Sequence, residues 1–288
     1  MIVGLAIAVA CALATNVAFL FKHRGAVLAI PVTVRHPLQS AASLFRSRWF
    51  TVGLLVALGA WGLHVAALAL APLSIVQAVL SGGLVFLAVL AERYFGFQLG
   101  RRQWVGLVVT AAGLVIIGLT SGSQGGEAPH YAPAALIAVE CTVLVLATAL
   151  AIASSRHSAL LAWEGMLLGV AAGALFGVSD IALKYLTNAV GNGVLEVLSP
   201  WSVAALFASV VAFYASARSL QLGPGVEVIA LTSVAANLIA IVGGILVFRD
   251  PIGAGPLAIT GRMVAFGLVI AGAALMPAPM RATRAASA

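Results

Sequence analysis

Long apolar runs, separated by short polar or turn-forming segments, make up most of the chain. A helix needs roughly 20 apolar residues to cross the apolar core of a bilayer. Backbone polar groups in lipid must bond within their own segment, so each run of this length predicts a transmembrane helix. The predicted fold is all-α, a polytopic membrane protein of about nine transmembrane helices. The predicted spans are 2–21, 50–70, 73–91, 104–120, 132–153, 164–187, 200–217, 226–248 and 257–276.

The amino-acid composition excludes a soluble globular protein. Of the 288 residues, 62% are hydrophobic and only 8% are charged, and the mean hydropathy is +1.14. Soluble domains carry about 25% charged residues because their surfaces face water. The net charge of +7 does not predict a nucleic-acid partner, because the basic residues lie in the gaps between apolar runs. The expected surroundings are a lipid bilayer.

The distribution of Lys and Arg predicts the orientation. Positive residues collect in cytoplasmic loops, and twelve of the fifteen basic residues fall on one side of the predicted spans. We therefore expect a multi-pass protein of the cell membrane (plasma or bacterial inner membrane), with the N-terminus outside and the C-terminus in the cytoplasm. The twelve are Lys22, Arg24, Arg35, Arg46, Arg48, Arg93, Arg101, Arg102, Arg156, Arg218, Arg281 and Arg284.

The two halves of the chain are similar in sequence. LALAPLSIVQAVLS at 68–81 matches LQLGPGVEVIALTS at 220–233, and GLVIIG at 113–118 matches GLVIAG at 267–272. The predicted organisation is a first four-helix repeat at 1–122, a linking transmembrane helix within 123–160, and a second repeat with a cytoplasmic tail at 161–288. One extra crossing would invert the second repeat, as in secondary transporters whose site lies between inverted halves.

Several short motifs give a family resemblance. ALALAPLS, LAERYFG and WVGLVVTAAG in the first half, with ARSLQLGPG and FRDPIG in the second, resemble the drug/metabolite transporter superfamily of EamA-like fold. The basic ending of the first helix, FLFKHRG, is most similar to the NIPA-type magnesium transporter branch. The chain lacks the second helix of each half that the commoner ten-helix form has. The resemblance implies a transporter and, from the branch, Mg²⁺ as the substrate.

Polar residues within the spans are the candidate site, because polar groups in a bilayer are costly and need a reason. Asp180 is predicted to bind substrate, a cation or a proton; the alternative is an i,i+4 pair with Lys184. Asn16 is its predicted counterpart in the first half. Further predicted substrate-binding residues lie on equivalent helices of the two halves, as walls of one cavity or as hydrogen bonds between helices. They are Gln77, Ser81, Ser233 and Asn237.

Two other span residues receive different interpretations. Glu140, flanked by Leu, Ile, Val and Cys, is predicted to be a coupling group together with Asp180; the alternative is a protonated carboxyl bonded to a neighbouring helix. His64 is interpreted as a packed core histidine beside Trp61, and the alternative is a ligand in the site.

The predicted function is a secondary transporter or facilitator of a small solute by alternating access. The substrate stays open between a small metabolite or drug-like compound, with proton-coupled export, and Mg²⁺ or another divalent cation. No cofactor is expected, since Mg²⁺ would be cargo. A membrane scaffold is the alternative from another class. No catalytic motif is found, so an enzyme is not expected. A homodimer is left open.

Overall fold

The computed structural model describes residues 2–33, 36–71, 73–120, 133–156, 163–189, 200–248 and 256–275. Ten α-helices account for nearly all of these residues. They are α1 (Ile2–Val27), α2 (Pro37–Arg46), α3 (Arg48–Leu70), α4 (Leu73–Phe95), α5 (Arg101–Thr120), α6 (Pro133–Arg156), α7 (Glu164–Ala189), α8 (Pro200–Leu222), α9 (Gly225–Val247) and α10 (Pro256–Leu275).

The helices make this a multi-pass membrane protein. Within the described residues, seven are long and apolar enough to cross a bilayer, namely α1, α3, α4, α6, α7, α8 and α9. Helices α5 and α10 closely match the other two predicted spans but fall outside this set. The all-α fold is confirmed, while nine crossings stay a prediction.

Helix α2 was not predicted from the sequence. Pro37 stands at its start, where a missing N–H is tolerated. Ser40 and Leu44 are buried, whereas Leu38 and Phe45 are exposed, so this short helix is amphipathic. Phe45 stacks on Phe213 of α8 at 6.5 Å between ring centroids.

Helix α1 is longer than the predicted span 2–21. It continues to Val27, so Lys22, assigned above to a loop, is helical. This last part of α1 packs closely on α3, since Gly25 lies directly against the backbone of Phe50, where a Cβ atom would collide.

Contacts along the helices give their relative directions. The start of α1 at Gly4 adjoins Leu70, and its end at Gly25 adjoins Phe50, so α1 and α3 are antiparallel. Further along α3, His64 faces Asp180, and Leu68 accepts a hydrogen bond from Lys184. Helices α3 and α7 therefore run the same way, and α1 and α7 run in opposite directions.

Helices α5 and α10 are also antiparallel. Gly113 of α5 packs against Ala265 and Val269, while Gly272 of α10 packs against Gly106 and Thr110. Both contacts are too close for a side chain at the glycine, which allows the two backbones to approach.

Helices α1 and α7 each pack tightly on a parallel neighbour, α1 on α4 and α7 on α9. Gly83 of α4 lies against Ala12 of α1. Gly173 of α7 lies against the Thr232 carbonyl of α9, again where a Cβ atom would collide. Gly173 thus allows the backbones of α7 and α9 to approach closely.

The end of the bundle where α1 and α4 end and α3 begins carries many of the basic residues. We call it the basic end. Phe21 near the end of α1 stacks on Trp49 at 5.6 Å and meets Phe95 edge-on at 5.3 Å, which brings three helix ends together. The Gln221 amide of α8 reaches the same end, where it donates to the carbonyls of Ala26 and Ile30 and accepts from the Val32 N–H. Which side of the membrane this end faces stays a prediction.

Candidate functional site

A cavity of about 220 Å³ lies between α1, α3 and α4 on one side and α7 and α9 on the other. Five of the six predicted substrate-binding residues line it: Asn16, Gln77, Asp180, Ser233 and Asn237. Aromatic side chains from both sets of helices, including Phe19, Trp61 and Phe176, supply much of the remaining wall. Residues far apart in the sequence therefore share one mid-span chamber.

Ser81, the sixth predicted residue, is not among the residues that line this cavity. Its side chain is fully buried, and its hydroxyl donates to the Gln77 carbonyl at 2.6 Å. A serine bonded to its own helix in this way contributes to local packing.

Asp180 is the carboxylate of the cavity, and its contacts cross from α7 to the first half. The Gln77 amide of α4 donates to Oδ2 at 2.9 Å. The His64 Nε2 of α3 lies 3.5 Å from Oδ1. Two side chains of one half thus hold an acidic group of the other.

Lys184, four residues beyond Asp180, reaches the end of α3. Its ammonium donates to the Leu68 carbonyl at 2.7 Å and to the Ala71 carbonyl at 3.3 Å. The last carbonyls of a helix have no partner within it, so a cation at this position stabilises the α3 terminus.

Asn16, the predicted counterpart of Asp180, is bonded differently. Its amide donates to the Ala12 carbonyl at 2.8 Å and to the Gly83 carbonyl at 2.9 Å. Both acceptors belong to α1 and α4, so these bonds connect two helices of the same half.

The sequence favoured the wrong interpretation of His64 and did not predict Lys22 or Thr232 as cavity residues. His64 is buried, as a packed core histidine would be, but it lines the cavity, and its Nε2 has no hydrogen-bond partner within the described residues. Lys22 lines the cavity with its ammonium 4.0 Å from the Phe19 ring centroid. The available signal for His64 was a lone imidazole within an apolar helix.

Glu140 of α6 lies outside the cavity lining. It is buried, and its Oε1 has no hydrogen-bond partner among the described residues. The coupling role predicted for it therefore stays a prediction. Within the same described ranges, no group of three or more His, Cys, Asp or Glu could hold a metal ion.

A multi-pass helical protein with a chamber between two sets of spans, lined by a few polar side chains within apolar walls, has the architecture of a membrane transporter. Among proteins of known description, the chain is similar to one of Arabidopsis thaliana named "Probable magnesium transporter NIPA9". The two are 23% identical over 279 residues, which cover 93% of this chain and 80% of the relative. No family model matches the sequence, and no solved structure matches the chain.

Proposed function

We propose that this chain transports hydrated Mg²⁺ across a membrane by alternating access between two inverted four-helix repeats. The observation that carries the proposal is Asp180, a carboxylate in a chamber between the halves, contacted by Gln77 and His64 of the opposite half. The similarity to a protein named as a magnesium transporter supports the choice of substrate. The motifs described above suggest the drug/metabolite transporter superfamily as the wider group.

Helix directions support the inverted repeats. An axis in the membrane plane would make each equivalent pair antiparallel. The opposite directions of α1 and α7, and of α5 and α10, agree with this arrangement.

The size of the cavity suits a cation that keeps its water. Mg²⁺ releases water reluctantly and is usually bound through one or two carboxylates. At about 30 Å³ per water, a chamber of about 220 Å³ can hold a hexahydrated ion. Asp180 would supply the charge, and the amide and hydroxyl oxygens of Asn237, Ser233 and Thr232 would accept hydrogen bonds from the bound waters.

Flux measurements in proteoliposomes test the proposal. The full-length chain is reconstituted, and Mg²⁺ entry is followed with a trapped fluorescent indicator, with and without a pH gradient. Asp180→Asn should remove most of the flux. Glu227→Gln is the matched control, because it makes the same change in a buried carboxylate that lies outside the cavity lining. Equal flux for Asp180→Asn and the control would contradict the assignment of Asp180.

A small organic solute is the second candidate, favoured by the aromatic and aliphatic walls of the cavity. Apolar pockets with a few polar groups are typical of sites for such compounds. Radiolabelled organic amines are tested in the same vesicles. Amine uptake without Mg²⁺ flux would replace the first candidate with the second, and flux of neither would favour a scaffold.

A further inference from the structure

We propose that a cleft at the basic end binds the headgroup of an anionic phospholipid. The cleft has a volume of about 560 Å³ and lies where α1 and α4 end and α3 begins. It is separate from the central cavity, and the inference does not depend on the proposed substrate. Its principal lining side chains are His23, Arg24, Trp49, Tyr94, Phe95 and Phe97.

Arg24 is held in position by aromatic rings. Its guanidinium carbon lies 4.1 Å from the centroid of the Trp49 ring, and Trp49 is stacked in turn on Phe21 at 5.6 Å. A guanidinium stacked on a ring keeps its planar fork of N–H donors available. That fork matches the oxygens of a phosphate and can bind two of them at once.

The charge of the cleft is positive. Arg24 lines it, and no carboxylate is among its lining residues in the described part of the chain. The nearby Glu92 accepts a hydrogen bond from the Leu99 N–H at 3.2 Å, which directs its carboxylate to the turn after α4. An anionic headgroup would therefore meet a cation without a competing acid in the cleft.

The position of the cleft favours a lipid over a soluble phosphate. It lies at the ends of three membrane spans, and Trp and Tyr side chains concentrate at headgroup level. Val27 and Leu28, which also line it, are 56% and 72% exposed. An acyl chain could extend along these aliphatic side chains and the Trp49 face while the phosphate contacts Arg24. A free phosphate would leave that apolar surface uncovered.

Thermal unfolding of the purified full-length chain in a neutral detergent tests the assignment. Phosphatidylglycerol is compared with phosphatidylcholine of the same acyl chains, and with soluble glycerol phosphate. Because a ligand that binds only the folded state stabilises it, phosphatidylglycerol should raise the Tm by about 3 °C or more beyond the effect of phosphatidylcholine.

The Arg24→Gln variant should lose at least half of the extra Tm increase that phosphatidylglycerol gives over phosphatidylcholine. Arg93→Gln, which removes an equal charge from an exposed residue of α4 outside the cleft lining, should keep it. Equal effects of the two lipids, equal loss in both variants, or the full shift with glycerol phosphate would each overturn the proposal.

Fluorescence quenching gives a second measurement that does not require Arg24→Gln to fold. Brominated phosphatidylglycerol should quench the tryptophan emission of the unmodified chain more than brominated phosphatidylcholine at equal mole fraction. The excess should disappear in Trp49→Phe. Quenching that does not differ between the lipids, or an excess that survives in Trp49→Phe, would contradict binding at this cleft.

Discussion

Asn16 and Asp180 occupy comparable places on the first helix of each half, but their bonds lead in different directions. The Asn16 amide bonds to carbonyls of α1 and α4, within its own half. The Asp180 carboxylate is contacted by His64 and Gln77 of the opposite half. A polar residue within the membrane can therefore serve either to hold one half together or to connect the two halves.

The difference follows from the donors and acceptors that each side chain offers. An amide can donate to the backbone carbonyls of closely packed helices, and Gly83 brings α4 near enough to Asn16 to receive such a bond. An ionised carboxylate only accepts, so it must find N–H donors or a cation. In this fold the donor is the Gln77 amide of α4, with His64 Nε2 of α3 at 3.5 Å, and a cation that enters the cavity would compete with the Gln77 bond.

Exchange of the side chains of Asn16 and Asp180 should have the largest effect on Mg²⁺ flux. In the double variant Asn16→Asp with Asp180→Asn, the carboxylate at position 16 would face the carbonyls of Ala12 and Gly83, and the Gln77 amide would lose its charged acceptor at position 180. A hydrogen bond to a charged group contributes about 1.5–3 kcal/mol, so Mg²⁺ flux should fall on the order of 10- to 100-fold. Initial rates in proteoliposomes measure it, and restored flux would show that the two positions are interchangeable.

Removal of the contact between the halves should have the next largest effect. A double-mutant cycle of Gln77→Ala and Asp180→Ala, measured by unfolding in detergent, should give a coupling energy of about 1 kcal/mol, in the range of hydrogen bonds within membranes. The same cycle with Ser81→Ala in place of Gln77→Ala serves as the control. Strict additivity of the Gln77 and Asp180 changes would contradict a direct interaction.

Removal of the positive charge of Lys22 should have a moderate effect on Mg²⁺ transport. Lys22 places a positive charge in the chamber that holds Asp180, and like charges repel a bound cation. Lys22→Gln should therefore lower the Mg²⁺ concentration for half-maximal flux about threefold. Arg218→Gln, at the same end but outside the cavity lining, should leave it unchanged. Unchanged or weaker Mg²⁺ binding in Lys22→Gln would contradict repulsion of the bound cation by Lys22.

The side-chain amide of Asn16 should matter more for the stability of the protein than for transport. Asn16→Ala removes two hydrogen bonds and should lower the free energy of unfolding by about 1 kcal/mol, while the flux of the folded protein stays within about twofold of the original. Thermal unfolding and flux are measured on the same preparation. A loss of flux as large as that of Asp180→Asn would remove the distinction between the two positions.

The smallest effect at a fixed pH is expected for Glu140→Gln. This residue lies outside the cavity lining, so substrate affinity should not change. If Glu140 carries the coupling proton, the variant should lose the pH dependence of transport while it keeps its rate at the optimum pH. Rates measured across a series of pH values test this, and an unaltered profile would exclude the coupling role.

The spans were predictable because they depend on length and hydropathy, which any window of sequence contains. Helix α2 was missed because the search was for apolar runs long enough to cross a membrane. Its ten residues are amphipathic and too few to form such a run. Lys22 was assigned to a loop because a cation usually marks the end of a span. Here α1 continues to Val27, and its last turn packs on α3 through Gly25 and Phe50, a tertiary contact that the local sequence does not reveal.

The site was predictable only in part. Five of six proposed side chains line the cavity, because polar residues in a bilayer are few and tend to face one another. The partners of Asp180 could not be chosen from the sequence. Lys184 is four positions away and was the obvious candidate, whereas Gln77 lies 103 residues away. Such pairings depend on how the halves are placed, and local spacing contains no information about it.

The Gln221 amide restrains the basic end of the molecule. This side chain of α8 makes three hydrogen bonds to backbone groups at the end of α1 and in the segment that follows it, so it connects the first half to the second. Relative motion of the halves at that end would have to break these bonds or move α2 as well. At the other end, Lys184 of α7 bonds to the Leu68 and Ala71 carbonyls, so we expect any separation of the halves to begin with the loss of one of these two sets of backbone contacts.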